Sequence, residues 1–231
     1  GGYMLKNHEH LRRIGIDPRH PQRTDWPAVY RQVGGYETSK LEAHFATLET
    51  MSAKGGELTV VHPATVCGHS RTGHILDGQP LVALIRNLVQ GKLTAVPGTA
   101  QHWLPLVTVD YLVELMAACA FDPAMAGQEL LALDAQTPNL RELLVQVAQP
   151  LGLKSPKHHV SLRLLKWLLS IPPVARLMNT QPEALDFIQT TRFDTAAVEQ
   201  FANRHAIAKP DIRQSLRHTA TFVNAHCMAK R

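Results

Sequence analysis

The feature that most constrains the fold is a helix, a double glycine and a buried strand, in immediate succession between residues 36 and 62. In "YETSKLEAHFATLETM" apolar residues recur at spacings of four, three and three from Leu41 to Met51, which makes one apolar helix face. Gly55 and Gly56 end this helix, and "ELTVVHPA" follows as a nearly continuous apolar run rich in β-branched residues. The order predicts one α/β unit of a parallel sheet.

The composition supports a large core and limits the partners. Of the 231 residues, 45% are hydrophobic and 19% are charged, which fits one large domain or two small ones. The net charge of +5 comes from scattered basic residues without a basic stripe, so we expect no nucleic-acid partner. No apolar run is long enough to span a membrane. The three cysteines form no Cys-x-x-Cys pair, and the plain expectation is a cytoplasmic protein.

The remaining chain alternates helical segments with short apolar strands. Residues 1–33 carry prolines and turn residues, and we expect a surface loop with at most short helical turns. "PLVALIRNLVQG" predicts a helix, and "PLVTVDYLVELMAACAF" predicts an extended piece followed by a helix starting near Asp110. "GQELLALD" resembles a buried strand, and "TPNLRELLVQVAQPLG" a helix capped by Thr137. Three further segments, "SLRLLKWLLSIPPVARLM", "DTAAVEQFANRHAI" and "DIRQSLRHTATFVNAH", are helical in pattern.

Tyr36 and Lys40 are the candidate catalytic residues. They lie four residues apart at the head of the first helix, so their side chains share one helix face. A phenol with an ordinary pKa near ~10 is a poor proton donor at neutral pH, and a neighbouring ammonium stabilises the phenolate. Such a pair combines general acid–base catalysis with positioning of a ligand. The spacing is common, however, and an exposed helix start with a solvated lysine is the structural alternative.

The surrounding motifs carry a resemblance to a known family. "YETSKLEAH" is followed some twenty residues later by "LTVVHPATVCGHSRTG", then by "PLVTVDYLVELMAA" and "GQELLALDAQTPNLRELLVQVAQPLG". The last part of the chain, "RFDTAAVEQFANRHAIAKPDIRQSLRHTATF", is similar to the C-terminal segment of the same family. In this order the motifs resemble an extended short-chain dehydrogenase/reductase, of the thioester-reductase-like or epimerase/dehydratase-like group. The resemblance covers nearly the whole chain.

The resemblance implies a fold, a cofactor and roles for matched residues. It implies an α/β fold, with the C-terminal part of a Rossmann-like, doubly wound parallel sheet and a mostly helical substrate-binding lobe. Tyr36 would be the catalytic acid/base, and Lys40 would bind the ribose of NADP or NAD, with NADP favoured. Cofactor contacts are implied for these two and for four residues of the next strand, Pro63, Ala64, Thr65 and Val66. The loop that borders the substrate would contain Ser70, Arg71 and Thr72.

The chain departs from the family pattern at its beginning. It has no strand with a Gly-x-x-Gly-x-x-Gly turn, which receives the cofactor pyrophosphate in such proteins. The expectation is therefore the C-terminal portion of a longer enzyme. Residues 1–73 would belong to the NAD(P)-binding domain and 74–231 to the substrate lobe, with 128–152 returning to the sheet. The strand near 58–62 would keep an unpaired edge.

Three functions remain open at this level. The favoured one is NAD(P)-dependent hydride transfer at a carbonyl-level carbon, with a ketone, aldehyde or acyl-thioester substrate. A nucleotide-sugar epimerase or dehydratase of the same fold is the second, and a non-catalytic binding module derived from it is the third. A homodimer is an expectation from related enzymes, which often pair through the tyrosine-bearing helix.

Several other features invite functional readings that the sequence does not favour. The histidines of "NHEH" and "KHHV" lack the spacing of four that lets two imidazoles converge from one helix face, so no metal site is predicted. Cys67 has no evident base beside it and is expected to pack. "LRLLKWLLSIPPVARLM" is expected to pack in the core or to line the substrate lobe, with a membrane-surface helix or a partner groove as the alternative.

Overall fold

The computed structural model describes residues 2–178 and 182–227. Ten α-helices lie in that part of the chain: α1 His8–Arg13, α2 Trp26–Val33, α3 Gly35–Ala53, α4 Pro80–Val89, α5 Val109–Phe121, α6 Leu140–Ala148, α7 Leu162–Leu169, α8 Pro172–Met178, α9 Ala196–Arg204 and α10 Ile212–Phe222. Six short strands lie there too: β1 Val60–Pro63, β2 Thr65–Cys67, β3 Val96–Pro97, β4 Leu106–Thr108, β5 Glu129–Ala132 and β6 His159–Val160. Turns of 3-10 helix include Gly2–Lys6 and Pro182–Phe187.

The described strands form three parallel pairs. β1 pairs with β5, β2 with β4, and β3 with β6. The chain changes partner at Ala64: its amide donates to Ala132 of β5, and the amide of Thr65 donates to Pro105 before β4. Parallel strands joined through helices are the pattern predicted from the first α/β unit. The α/β, Rossmann-like fold class is therefore confirmed.

Strand β1 has a strand partner on one side within the described residues, since β5 is the one strand that hydrogen-bonds to it. The Gly2–Lys6 turn also contacts β1. There Gly2 approaches Pro63 so closely that a Cβ would come 2.9 Å from the proline ring. This turn and the end of β1 are thereby held together, immediately beside the first turn of α3.

Apolar side chains form three clusters around these elements. One lies among α4, α6 and α10 and includes Ile85, Leu144 and Leu216. A second lies under β1 and β5, between α5 and α9. Each fully buried leucine or isoleucine stabilises the fold by about 1.5–3 kcal/mol relative to an exposed position. Among the described helices, none is both long enough and apolar enough to cross a membrane.

The third cluster corrects the interpretation of residues 1–33 as a surface loop. This segment contains α1 and α2, which bury Leu11 and Val29 against Leu41 and Phe45 of α3. The prolines had indicated turns. Pro27 instead occupies the first turn of α2, where no backbone N–H is needed, and the carboxylate of Asp25 accepts from the Ala28 amide as a cap.

Other element boundaries differ in smaller ways. Thr108 rather than Asp110 is the residue before α5, and Asn139 rather than Thr137 precedes α6. The apolar segment that begins at residue 161 is two helices, because α7 ends at Leu169 and α8 starts on two prolines. Predicted strand β1 is shorter than its apolar run and begins at Val60.

Candidate active site

The first turn of α3 opens onto a cavity of about 1060 Å³. Its other walls are the Gly2–Lys6 turn, residues 77–86 at the start of α4, helix α8 and the Pro182–Phe187 turn. The volume suits a ligand larger than most drug-sized molecules. The lining is predominantly apolar and is interrupted by charged groups, among them Lys40, Arg176 and Asp186.

Tyr36 and Lys40 both line this cavity. Their spacing of four residues places them on one face of α3, and the Lys40 Nζ lies 4.7 Å from the centroid of the Tyr36 ring. The tyrosine side chain is 62% exposed. No hydrogen bond of its hydroxyl is found within the part of the chain that the structure describes. The phenol and the ammonium thus stand side by side at a cavity wall, accessible to a ligand.

Glu37 is a charged neighbour of this pair that the sequence did not single out. It lines the same cavity, and its Oε1 lies 2.8 Å from Nε2 of His10 on α1. Arg13 reaches the other ring nitrogen of His10, with Nη2 3.0 Å from Nδ1. Because a guanidinium can only donate, Nδ1 accepts and Nε2 carries the hydrogen that is donated to Glu37. This chain of contacts fixes the first turn of α3 against α1.

The strand residues Pro63, Ala64, Thr65 and Val66 lie next to the cavity wall rather than in it. Pro63 is separated from the cavity by Gly2, which contacts it and is itself a lining residue. Ala64 and Thr65 are buried, and the Thr65 hydroxyl has no hydrogen-bond partner among the described residues. The structure therefore brings Tyr36 and Lys40 together and leaves these four in the adjoining strand.

The loop at residues 68–73 is held by other parts of the fold. The amide and hydroxyl of Ser70 donate to the two carboxylate oxygens of Asp110, at 3.0 and 2.5 Å. His218 on α10 donates from Nδ1 to the Ser70 carbonyl at 2.7 Å. Burial alone would raise the pKa of Asp110, but these hydrogen bonds outweigh it and lower the pKa. Arg71 and Thr72 are exposed, and none of the three predicted loop residues lines the cavity.

Two residues of reactive types, Cys67 and Tyr3, are buried and not accessible to a ligand. Cys67 is 1% exposed, and its burial raises the pKa of its thiol, so the thiolate is disfavoured at neutral pH. Tyr3 is fully buried and donates from its hydroxyl to the Phe187 carbonyl at 3.1 Å. Its burial also raises the pKa of the phenol. Tyr36 is consequently the tyrosine of this cavity that a ligand can reach.

The donor set fits one end of a nicotinamide cofactor. Lys40 can donate to ribose hydroxyls, and the apolar walls beside it can accommodate a planar ring. A glycine-rich turn for the pyrophosphate does not occur in this sequence. Among the described residues, no group of three His, Cys, Asp or Glu side chains could hold a metal ion.

Comparison with known proteins agrees with this architecture. Residues 18–116 match an NAD-binding family described as male sterility protein. No curated protein matches the chain. Among solved structures, the terminal R domain from the myxalamid PKS-NRPS biosynthetic pathway is 19% identical with a TM-score of 0.65, covering 86% of this chain and 52% of that one.

Two further structures show the same fold. The reductase domain of the aureusimine biosynthetic cluster is 16% identical with a TM-score of 0.54, covering 81% of this chain and 48% of that one. RMD from Pseudomonas aeruginosa, solved with NADPH, is 16% identical with a TM-score of 0.51, covering 83% and 56%. The chain spans about half the length of these proteins. The predicted resemblance is thus confirmed by the family match over residues 18–116, and these structures support the fold of the chain.

Proposed function

We propose that this chain is part of an NAD(P)-dependent oxidoreductase that transfers hydride to a carbonyl-level carbon. The observation that carries the proposal is the placement of Tyr36 and Lys40 together on the wall of a cavity of about 1060 Å³. An apolar cavity with one acid and one fixed positive charge suits an aldehyde, a ketone or an acyl thioester. The family match and the NADPH complex of a structural neighbour support the choice of cofactor, with NADP favoured.

The proposed mechanism assigns roles to Tyr36, Lys40 and Glu37. The bound cofactor supplies the hydride. The Tyr36 hydroxyl donates a proton to the oxygen of the substrate carbonyl as charge develops there. The Lys40 ammonium stabilises the phenolate that is left and hydrogen-bonds the nicotinamide ribose. Glu37, held by His10, keeps the first turn of α3 in place. The enzyme is proposed to be cytoplasmic and to form a homodimer.

Contacts further along the chain belong to the same proposal. Pro63, Ala64, Thr65 and Val66 would lie under the nicotinamide. Ser70, Arg71 and Thr72 would border the substrate, with the exposed Arg71 as a contact for a phosphate or an amide. In this division residues 1–73 belong to the cofactor domain and residues 74–231 to the substrate lobe, apart from 128–152.

The test compares two tyrosines in the native protein that contains this chain. Tyr36→Phe removes the proposed acid and should lower the rate of NADPH-dependent reduction of octanal or octanoyl-coenzyme A by about 10²–10⁴. NADPH affinity should change little. Tyr30→Phe is the matched control, because its hydroxyl bonds Glu42 at 2.8 Å on the neighbouring helix. Equal rates for Tyr36→Phe and the wild type, or no NADPH binding by the native protein, would contradict the proposal.

A further inference from the structure

Helices α7 and α8 expose large apolar side chains on the outside of the molecule. Leu164 and Trp167 lie one helical turn apart on α7, and Ile171 follows after the next turn. Trp167 and Leu177 at the end of α8 are each 63% exposed. We call Leu164, Trp167, Ile171 and Leu177 the α7–α8 outer face. Of this segment, Ala175 and Arg176 of α8 line the cavity, whereas no residue of α7 does.

Basic residues outnumber acidic ones in the segment that carries this face. Residues 153–178 contain no Asp or Glu. They contain five basic residues, namely Lys154, Lys157, Arg163, Lys166 and Arg176. Lys166 forms an ion pair with Asp186. Lys154, Lys157 and Arg163 are exposed, and no ion pair of theirs is found in residues 2–178 and 182–227. The face therefore combines apolar exposure with a local excess of positive charge.

Helix α5 provides an internal comparison. It also exposes apolar side chains, including Met116 and Phe121, and Phe121 is 87% exposed. Its charged residues are Asp110 and Glu114, and it has no lysine or arginine. Large apolar side chains are thus exposed on α5 as well as on α7 and α8, but exposed basic residues accompany them at residues 153–178 and not on α5. A partner that needs both features would select the α7–α8 outer face.

We propose that the α7–α8 outer face docks on an anionic lipid surface. A short amphipathic helix with tryptophan and leucine on one side and basic residues beside them lies in the plane of a bilayer interface. The tryptophan ring suits that boundary because it is apolar with one polar N–H group. Lysine and arginine stems reach along apolar surface while their charges meet lipid phosphates. The proposal uses none of the catalytic residues and does not depend on the oxidoreductase assignment.

Co-sedimentation of the native protein with lipid vesicles tests the proposal. The affinity of the protein for vesicles of phosphatidylcholine mixed with phosphatidylglycerol should be at least about tenfold higher than its affinity for vesicles of phosphatidylcholine alone. Added salt should weaken this binding, because screening reduces the attraction between charges. Tryptophan fluorescence should shift to shorter wavelength on binding, and the shift should be absent in Trp167→Ser, because Trp103 is already buried and Trp26 packs against the third apolar cluster.

Matched variants make the test specific to this face. Trp167→Ser and Arg163→Glu should each weaken binding to the anionic vesicles by about fivefold or more, while their thermal unfolding stays unchanged because both side chains are exposed. Phe121→Ser on α5 should leave vesicle binding unchanged. Equal binding to both kinds of vesicle would overturn the proposal, as would equal weakening by Phe121→Ser and Trp167→Ser. Absence of binding to either would also overturn it and leave an acidic protein surface as the partner to examine.

Discussion

The first turn of α3 and the loop at residues 68–73 carry the two most prominent motifs of the chain. The first is exposed at a cavity, whereas the second is held by hydrogen bonds to other parts of the fold. On α3, Tyr36 is 62% exposed and faces a cavity together with Lys40. In the loop, the polar groups of Ser70 are occupied by Asp110 and His218. The glycines of the loop pack against α10, whereas Gly34 before α3 has open space around it.

This difference separates a motif that is available to a ligand from one that is also needed by the fold. A polar group that already has its hydrogen bonds would lose them on turning towards a substrate, and that loss costs free energy. An exposed phenol at a cavity pays no such cost. The comparison predicts that substitutions in the loop act first on stability, and that substitutions in the first turn of α3 act first on chemistry.

The largest effect on stability is expected at Gly73. Its φ of +69° disfavours any side chain, and a methyl group would overlap the His218 carbonyl of α10. Gly73→Ala should therefore lower the free energy of unfolding by about 3 kcal/mol or more. Gly34→Ala has a similar φ of +94° but nothing within 4 Å of the added methyl, so backbone strain of about 1–2 kcal/mol is its whole cost. Chemical denaturation measures the loss in free energy of unfolding for both variants, and equal losses would contradict the predicted difference.

A smaller effect is expected from the two serines. Ser70→Ala removes a donor to the Asp110 carboxylate and should cost about 1–3 kcal/mol, since hydrogen bonds to charged groups are the stronger ones. Ser39→Ala on α3 removes an exposed hydroxyl that bonds the Tyr36 carbonyl at 3.2 Å, and should change stability by less than about 0.5 kcal/mol. Unfolding curves of the two variants in the same buffer test whether Ser70→Ala lowers the free energy of unfolding more than Ser39→Ala does.

The smallest effect is the acid dependence at Glu129, another group that the fold uses. A hydrogen bond from His62 lowers the pKa of this carboxyl to about 2, with Lys6 adding to the effect and burial opposing it. The folded pKa lies below the unfolded one, so the stabilisation is present above about pH 4.5 and is lost as pH falls towards 2. Solvent reduces it to about 1 kcal/mol, because the side chain is 37% exposed. Glu129→Gln should lose this stability at neutral pH and converge with the wild type in acid, whereas the exposed Glu57→Gln should follow the wild type throughout.

Local patterns predicted the elements that the site needs. The helical spacing from Leu41 to Met51 gave α3, and the β-branched run gave β1. The segment from Asp211 was predicted to be helical, and the Asp211 carboxylate caps α10 by accepting from the amides of Arg213 and Gln214. These features depend on residues near one another in the chain, which is why pattern reasoning reaches them.

Long-range contacts account for what the sequence did not predict. Asp110 was predicted to lie at the start of a helix, but its carboxylate also holds Ser70, 40 residues earlier in the chain. The pairing of His10 with Glu37 depends on α1 packing against α3, which was hidden because residues 1–33 had been taken for a loop. The charge of Glu37 directly after Tyr36 was the one local signal for that contact.

A double-mutant cycle on catalysis tests the central claim most directly. The claim is that Tyr36 and Lys40 act as one unit on the cavity wall, where the Lys40 Nζ lies 4.7 Å from the centroid of the Tyr36 ring. Tyr36→Phe, Lys40→Met and the double variant would be compared in the native protein for the single-turnover rate of hydride transfer from NADPH. At saturating NADPH, where the ribose contact of Lys40 no longer limits binding, the double variant should lose no more than about the Tyr36→Phe single variant, since the lysine has no phenolate left to stabilise. Losses that simply add, or a Lys40→Met variant as fast as the wild type, would contradict it.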